Sequence, residues 1–76
     1  MQTEQILARL SEHFADGTFD VQGEGNHVDV QVVSEAFAGL RPVRRQQLVY
    51  AAVNDLIRDG SLHAINIKAL TPAEAV

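Results

Sequence analysis

Three histidines and no cysteine set the metal chemistry that this 76-residue chain can offer. Without a thiol, the available donors are imidazole nitrogen and carboxylate oxygen. The sequence has no HExxH, no CxxC and no two histidines four residues apart, whereas a closed zinc site normally has four ligands. Any metal site on this chain is therefore expected to be completed by ligands from a partner.

His63 is the first candidate ligand. The run over 62–70 alternates like a β-strand and would place His63 on one face with two isoleucines. A lone histidine on such a face is more often a partly buried, hydrogen-bonded residue at the rim of the core, so both interpretations stay open. His27 would point to water beside a turn, and His13 lies late in the first helix, where a cation suits the helix dipole.

Three arginines close together in sequence, Arg41, Arg44 and Arg45, form the second candidate site. Two of them fall in the first turn of a predicted helix, at the positive end of its dipole, where each cation costs about 0.3–1 kcal/mol. Helix N–H groups and guanidinium groups together attract an anion such as a phosphate, a peptide carboxylate or an acidic patch. In the alternative interpretation the arginines cover apolar surface and pair with Glu35 or with water. Lys68 is a further candidate cation for the same partner.

The composition is that of one small folded domain over residues 1–76, with 46% hydrophobic and 21% charged residues. The sequence starts without a signal peptide, and no apolar run approaches the roughly 20 residues that cross a bilayer, so we expect a cytoplasmic protein with no membrane partner. The net charge of -4 argues against general polyanion binding, although residues 41–68 hold five Lys or Arg and only two Asp. The serines lie in no nucleophile elbow or oxyanion motif, so we expect no enzyme.

Hydrophobic patterning predicts six short elements in the order α-β-β-α-α-β. They are a helix over 4–15, strands over 18–22 and 27–34 around a turn at 23–26, a short helical turn over 34–38, a helix over 42–59 and a strand over 62–70. Ser34 is expected to cap the short turn, and Pro42 and Gly60 to bound the long helix. The first two strands would pair antiparallel, whereas the helical crossover is long enough for parallel pairing of the second and third. His27 and His63 would then lie near the same end of the sheet.

An ordered set of short motifs runs through most of the chain. It comprises His27 before the alternating strand, Val32-Val33-Ser34, Phe37 with Gly39, Arg44-Arg45-Gln46-Gln47, Val49-Tyr50, His63-Ala64, and Thr71-Pro72 with Glu74. In this order the motifs resemble the BolA-like family, and most of all its bacterial IbaG/YrbA branch. The resemblance implies an α+β fold with a mixed three-stranded sheet, similar to a class II KH domain.

The same resemblance implies a partner and a cofactor. BolA-like proteins pair with monothiol glutaredoxins and share a [2Fe-2S] cluster held by glutaredoxin cysteine, glutathione cysteine and BolA-side ligands. His63 matches the family histidine that opens the last strand and serves as a ligand. Nitrogen ligands can replace thiolates on one iron of such a cluster and raise its potential. We expect the isolated chain to carry no cofactor and to be a monomer or a weak homodimer.

This sequence departs from the family pattern at two places. The stretch from Gly23 to Asn26 lacks the histidine or cysteine that relatives carry in the loop between the first two strands. His27 is kept as a second candidate ligand, although it matches the family histidine that begins the second strand. Ala75 stands where a tryptophan commonly follows the Thr-Pro-x-Glu motif.

Two functional hypotheses result. The first is a non-enzymatic iron-sulfur adaptor that pairs with a monothiol glutaredoxin and co-ligates a [2Fe-2S] cluster through His63 for cluster transfer or sensing. The alternative is a nucleic-acid-binding transcriptional regulator that uses the helix-turn-helix-like segment 34–59. Arg41, Arg44, Arg45 and Lys68 would supply its phosphate contacts, but the GxxG loop of KH domains is missing between the helices.

Overall fold

The helices and strands follow one another in the predicted order, with the second of the three helices reduced to a single 3-10 turn. They are α1 (Gln2–His13), β1 (Thr18–Glu24), β2 (His27–Val33), a 3-10 helix (Glu35–Phe37), α2 (Pro42–Arg58) and β3 (Ala64–Leu70). The computed structural model describes residues 2–24 and 27–76. The predicted turn over 23–26 therefore lies partly outside the described residues.

Local sequence signals account for most of the element ends. Ser34 caps the 3-10 helix because its hydroxyl accepts a hydrogen bond from the N–H of Ala36. Pro42 occupies the start of α2, where its missing N–H costs nothing. Gly60 has φ +84° just beyond the end of α2, a conformation that glycine adopts without strain. Within the described ranges, neither helix is long and apolar enough to cross a membrane.

Two predicted elements start two residues from where they are observed, and the predicted short helical turn is confirmed as a 3-10 helix. The first helix occupies Gln2–His13 rather than 4–15, and the third strand begins at Ala64 rather than at residue 62. The first helix of the expected helix-turn-helix unit is a 3-10 helix of three residues. The segment 34–59 thus contains one long helix preceded by one tight turn.

The sheet is mixed and has the strand order β1-β2-β3. β1 and β2 pair antiparallel, and β2 and β3 pair parallel, as the connection lengths predicted. In the parallel pair Val28 lies opposite Ile65, and Asp29 lies opposite Asn66. Side chains therefore alternate in register between the two faces of the sheet. The likeness to class II KH domains stays a prediction.

One face of the sheet is covered by both α-helices, and the other is open. The core combines residues from the helices with every second residue of β2, namely Ile6, Leu10, Phe14, Val28, Val30, Val32, Phe37, Val49, Ala52, Val53, Leu56 and Leu62. On the outside of the helices, Arg9 of α1 pairs with Asp55 of α2 at 2.8 Å. This ion pair joins the two helices that cover the sheet.

Candidate functional site

His63 is positioned by the turn that joins α2 to β3. Beyond Gly60, the N–H of Leu62 donates to the carbonyl of Leu56 at 3.1 Å, and the Leu62 side chain is only 1% exposed. Within the turn, a carboxylate oxygen of Asp59 accepts the N–H of Ser61 at 2.8 Å. His63 directly follows this anchored leucine and is exposed. The backbone that carries the imidazole is thus fixed while the ring faces water.

The exposed His63 ring has no polar or ring-stacking partner among the described residues. It makes no hydrogen bond within residues 2–24 and 27–76. The interpretation of His63 as a partly buried, hydrogen-bonded residue of the third strand is therefore wrong, because Leu62 takes the core position and β3 starts only at Ala64. An imidazole with both nitrogens open can offer either one to a metal.

His27, by contrast, is engaged on the open face of the sheet. The amide Nδ2 of Asn66 donates to Oδ1 of Asp29 at 2.9 Å and lies 2.9 Å from Nε2 of His27. Because the carboxylate must accept, the orientation of the amide is fixed and Nε2 of His27 must accept as well. This hydrogen bond corresponds to the tautomer with the proton on Nδ1, and Nε2 also lies 3.8 Å from Oδ1 of Asp29.

The parallel register brings the two histidines to one end of the sheet. His27 lies opposite Ala64, so His63 is one residue before the position that faces it on a strand about 5 Å away. The prediction of a shared end is confirmed at the level of the backbone. Nevertheless, the described part of the chain contains no group of three or more His, Cys, Asp or Glu side chains that could hold a metal ion.

Arg45 is the centre of an internal clamp. Its Nε donates to the carbonyl of Leu40 at 2.9 Å, and its Nη1 donates to the carbonyl of Ala69 at 3.2 Å. The guanidinium also holds both oxygens of Glu74, at 2.6 and 3.3 Å. Only 12% of the Arg45 side chain is exposed. Arg45 therefore fastens the start of α2 to the end of β3 and to the C-terminal segment, and its ion-pair partner is Glu74 rather than the suggested Glu35.

The Thr-Pro-x-Glu motif prepares Glu74 for this clamp. The N–H of Thr71 donates to Oε1 of Glu74 at 2.8 Å, and the N–H of Glu74 donates to Oγ1 of Thr71 at 3.2 Å. This reciprocal pair is the geometry of a capping box. Hydrogen bonds from Arg45 and then from the Thr71 backbone lower the pKa of the Glu74 carboxyl from 4.5 to about 2.

The remaining predicted cations do not form one patch. Arg41 and Arg44 are exposed at the start of α2, and the hydrogen bond of Arg44 goes to the amide oxygen of Gln47 at 3.3 Å. Lys68 lies on the open face of the sheet, opposite Gln31 in the register. The sheet thus separates Lys68 from the two exposed arginines.

The open face carries polar residues that the sequence analysis did not single out. A shallow groove of about 290 Å³ there is lined by Asp20, Gln22, Asp29, Val30, Gln31, Asn66, Ile67 and Lys68. Asp29 and Gln31 alternate with the buried valines along β2, so they share its open face. Asn66 could not be linked to them, because it comes from a strand 37 residues further along the chain than Asp29.

Comparison with known proteins supports one family. Residues 5–74 match the profile described as BolA-like protein. The acid stress protein IbaG of Escherichia coli (strain K12) is 38% identical over 74 residues, which are 97% of this chain and 88% of the relative.

Solved structures agree with this assignment. BolA1 from Arabidopsis thaliana superposes with a TM-score of 0.86 at 25% identity, over 97% of this chain and 95% of that chain. The BolA domain of SufE1 from the same plant superposes with a TM-score of 0.85 at 32% identity, over 96% and 94%. The fold, the matched residues and these likenesses together confirm the resemblance: the chain belongs to the BolA-like family.

Proposed function

We propose that this protein is a non-enzymatic adaptor that pairs with a monothiol glutaredoxin and supplies His63 as one ligand of a shared [2Fe-2S] cluster. The observation that carries the proposal is the exposed His63 ring, which has no hydrogen-bond partner among the described residues. A histidine that stabilised the fold would be expected to bond to the protein or to lie in its core. His63 does neither.

The donor set of the chain fits a partial ligand role. With no cysteine in the sequence, the chain cannot supply the thiolates that normally hold such clusters, whereas imidazole nitrogen is an accepted replacement on one iron. Glutaredoxin and glutathione thiols would supply the sulfur. When bound, the cluster would provide the redox-active and transferable group, and this chain would orient one nitrogen toward it.

The local backbone supports His63 over His27 as the leading ligand. Leu62, the residue before His63, is buried and anchors the backbone there. The conformational entropy lost when the imidazole binds is therefore confined to the His63 side chain. For His27, ligation through Nε2 would require breaking the hydrogen bond from Asn66. His27 is therefore the weaker candidate, and the identity of a second ligand from this chain stays open.

The nucleic-acid alternative has less support from the geometry. Arg45 is committed to Glu74 and to two backbone carbonyls, and Lys68 lies on the other side of the sheet from α2. Of the four predicted cations, Arg41 and Arg44 remain exposed together, on a chain of net charge -4. Binding of nucleic acid through phosphates grows with the number of cations that neutralise them, and two exposed arginines supply few.

The test is a titration of a glutathione-loaded monothiol glutaredoxin that carries a [2Fe-2S] cluster. The wild-type protein should form a heterodimer and change the visible absorption and circular dichroism of the cluster. His63→Ala should abolish that spectral change or make the cluster labile. His13→Ala is the matched control, because His13 is also exposed but bonds through Nδ1 to the Arg9 carbonyl of its own helix at 2.9 Å.

Two outcomes would refute the proposal. One is the absence of a complex and of any spectral change with the wild-type protein. The other is a heterodimer whose spectrum and cluster lifetime are the same for wild type, His63→Ala and His13→Ala, because the imidazole would then not touch the iron.

A further inference from the structure

The side of α2 that faces away from the core has an apolar centre. Val43, Gln47, Tyr50 and Asn54 recur at helical spacing and are all exposed. We call these four residues the outer face of α2. Val43 is 59% exposed and Tyr50 is 40% exposed, whereas the core-facing Val49 and Val53 are fully buried. Val43 and Tyr50 lie about two helical turns apart on this face, and the other exposed large hydrophobic residues of the described chain are Leu7 and Val76. The valine and the tyrosine together give the outer face of α2 a small apolar surface.

Arg41 and Arg44, which have no carboxylate partner among the described residues, border this outer face. No Asp or Glu occurs between Leu40 and Asn54 in the sequence. Arg44 bonds only to a neutral amide oxygen, and Arg41, before the first turn, caps nothing with its side chain. Both cations lie near the positive end of the α2 dipole, which disfavours them. An external carboxylate would remove that mismatch.

The start of α2, with Arg41, Val43 and Arg44, lies at the opposite end of β3 from His63. Next to Arg44, the side chain of Arg45 reaches the carbonyl of Ala69, near the end of β3. His63 immediately precedes the first residue of the same seven-residue strand. Seven residues of strand span about 20 Å. A protein bound at His63 would therefore leave the start of α2 accessible.

We propose that the outer face of α2, with Arg41 and Arg44, is a second docking surface that binds an acidic amphipathic helix of a partner protein. Tyrosine and arginine around an apolar centre are typical of protein interfaces. A second copy of the chain fits less well, since each copy carries a net charge of -4. Nucleic acid fits less well too, because the guanidinium groups of Arg41 and Arg44 flank apolar side chains that phosphates would not contact.

The docking surface itself does not depend on the cluster. Only one consequence rests on the proposed function: a glutaredoxin held at His63 and an acidic partner held at α2 can be bound at the same time. The protein would then connect two other proteins along the length of β3. The binding of the acidic helix in the absence of glutaredoxin can be tested separately from ligation by His63.

The experiment is an NMR titration of the ¹⁵N-labelled protein with a synthetic helical peptide of about 18 residues, or five turns. The peptide carries leucine along one face of its helix, and glutamate and alanine at all other positions. The amides of Val43, Gln47 and Tyr50 should shift with a Kd below about 1 mM. Arg44→Glu and Tyr50→Ala should each weaken binding at least about tenfold. Lys68→Glu is the matched control, since it makes the same charge change on the open face of the sheet and should leave the Kd unchanged.

A glutamine peptide and a His63→Ala variant test whether binding depends on charge and whether it is separate from the cluster site. The same peptide with glutamine in place of glutamate should bind at least about tenfold more weakly, because the attraction is charge-assisted. His63→Ala should bind the peptide as the wild type does, which separates this surface from the cluster site. Equal affinity for the glutamine peptide, shifts confined to another surface, or tighter binding through Arg44 of a DNA duplex of about 20 base pairs would overturn the proposal.

Discussion

Replacing Arg45 by methionine should destabilise the domain, whereas the same change at its neighbour Arg44 should not. Methionine keeps much of the apolar stem and removes every hydrogen bond of the guanidinium group. In Arg45→Met, the carbonyls of Leu40 and Ala69 lose their side-chain donor. At about 0.5–1.5 kcal/mol for each net hydrogen bond, these two losses amount to about 1–3 kcal/mol. The ion pair with the half-exposed Glu74 is partly screened by water and adds less than a buried pair would.

The assay is thermal unfolding followed by circular dichroism at neutral pH. For a domain of this size, 1 kcal/mol corresponds to about 4–8 °C in Tm, so Arg45→Met should lower Tm by roughly 5–20 °C. Arg44 is exposed and makes one hydrogen bond of 3.3 Å to Gln47, so Arg44→Met should change the free energy of unfolding by less than about 0.5 kcal/mol. Arg45→Lys should recover only part of the loss, because an ammonium group lacks the planar fork.

Equal Tm values for Arg45→Met and Arg44→Met would refute this reasoning. Both arginines would then be surface cations, and the C-terminal segment would not be fastened by Arg45. A second check is limited proteolysis, since release of the clamp should expose the chain after Leu70 to cleavage. Unchanged cleavage in Arg45→Met would contradict the clamp in the same way.

Three further predictions concern pH, capping and the tautomer of His27. Folding lowers the pKa of Glu74 from 4.5 to about 2, so the ionised Glu74 carboxylate stabilises the fold fully above pH 4.5 and loses this effect as the pH falls through about 2. The difference in Tm between wild type and Glu74→Gln should therefore vanish as the pH falls through about 2. A Tm difference that stays constant over this pH range would contradict the assignment. Ser34→Ala should lower the free energy of unfolding in urea by about 0.5–2 kcal/mol, because it removes the cap of the 3-10 helix, whereas Ser11→Ala on the exposed side of α1 should have no measurable effect. In ¹⁵N NMR at a pH where the ring is neutral, His27 should carry its proton on Nδ1 and lose this preference in Asn66→Ala; an Nε2-protonated ring in the wild type would rule out the network.

Much of the fold could be predicted because its signals are local. Val28, Val30 and Val32 alternate with other residues along β2, a pattern typical of a strand with one buried face, and all three are buried. Ser34 caps the short helix as expected, and Gly60 ends the long one with a positive φ. The parallel pairing of β2 and β3 was predicted from the length of the connection between them. Each of these inferences needs only neighbouring residues and general rules of connection.

The parts that failed depend on contacts distant in sequence. The alternation of residues 62–70 placed His63 on the core side, but Leu62 fills that position and the chain turns before β3 begins. Arg45 and Glu74 are 29 residues apart, and no local pattern distinguishes Arg45 from Arg44. For this reason the sequence suggested one basic group of three arginines, whereas the structure holds Arg45 inside and leaves Arg41 and Arg44 exposed.

The candidate site shows the same division. The sequence selected His63, and the absence of cysteine indicated that any site would need outside ligands. It could not show that His63 is exposed and free of hydrogen bonds among the described residues while His27 is engaged by Asn66. The contact between His27 and Asn66 depends on the register of β2 against β3. It is the reason why His63 is preferred to His27 as the candidate ligand.

Pulsed electron paramagnetic resonance on the reduced heterodimer with glutaredoxin tests the central claim most directly, because it detects nitrogen bound to the paramagnetic cluster. The wild-type protein should show the coupling of an imidazole nitrogen, which should become that of ¹⁵N when this chain alone carries labelled histidine. The coupling should disappear in His63→Ala and persist in His13→Ala. A wild-type spectrum without histidine nitrogen coupling, or one that His63→Ala leaves unchanged, would contradict the assignment of His63 as a ligand.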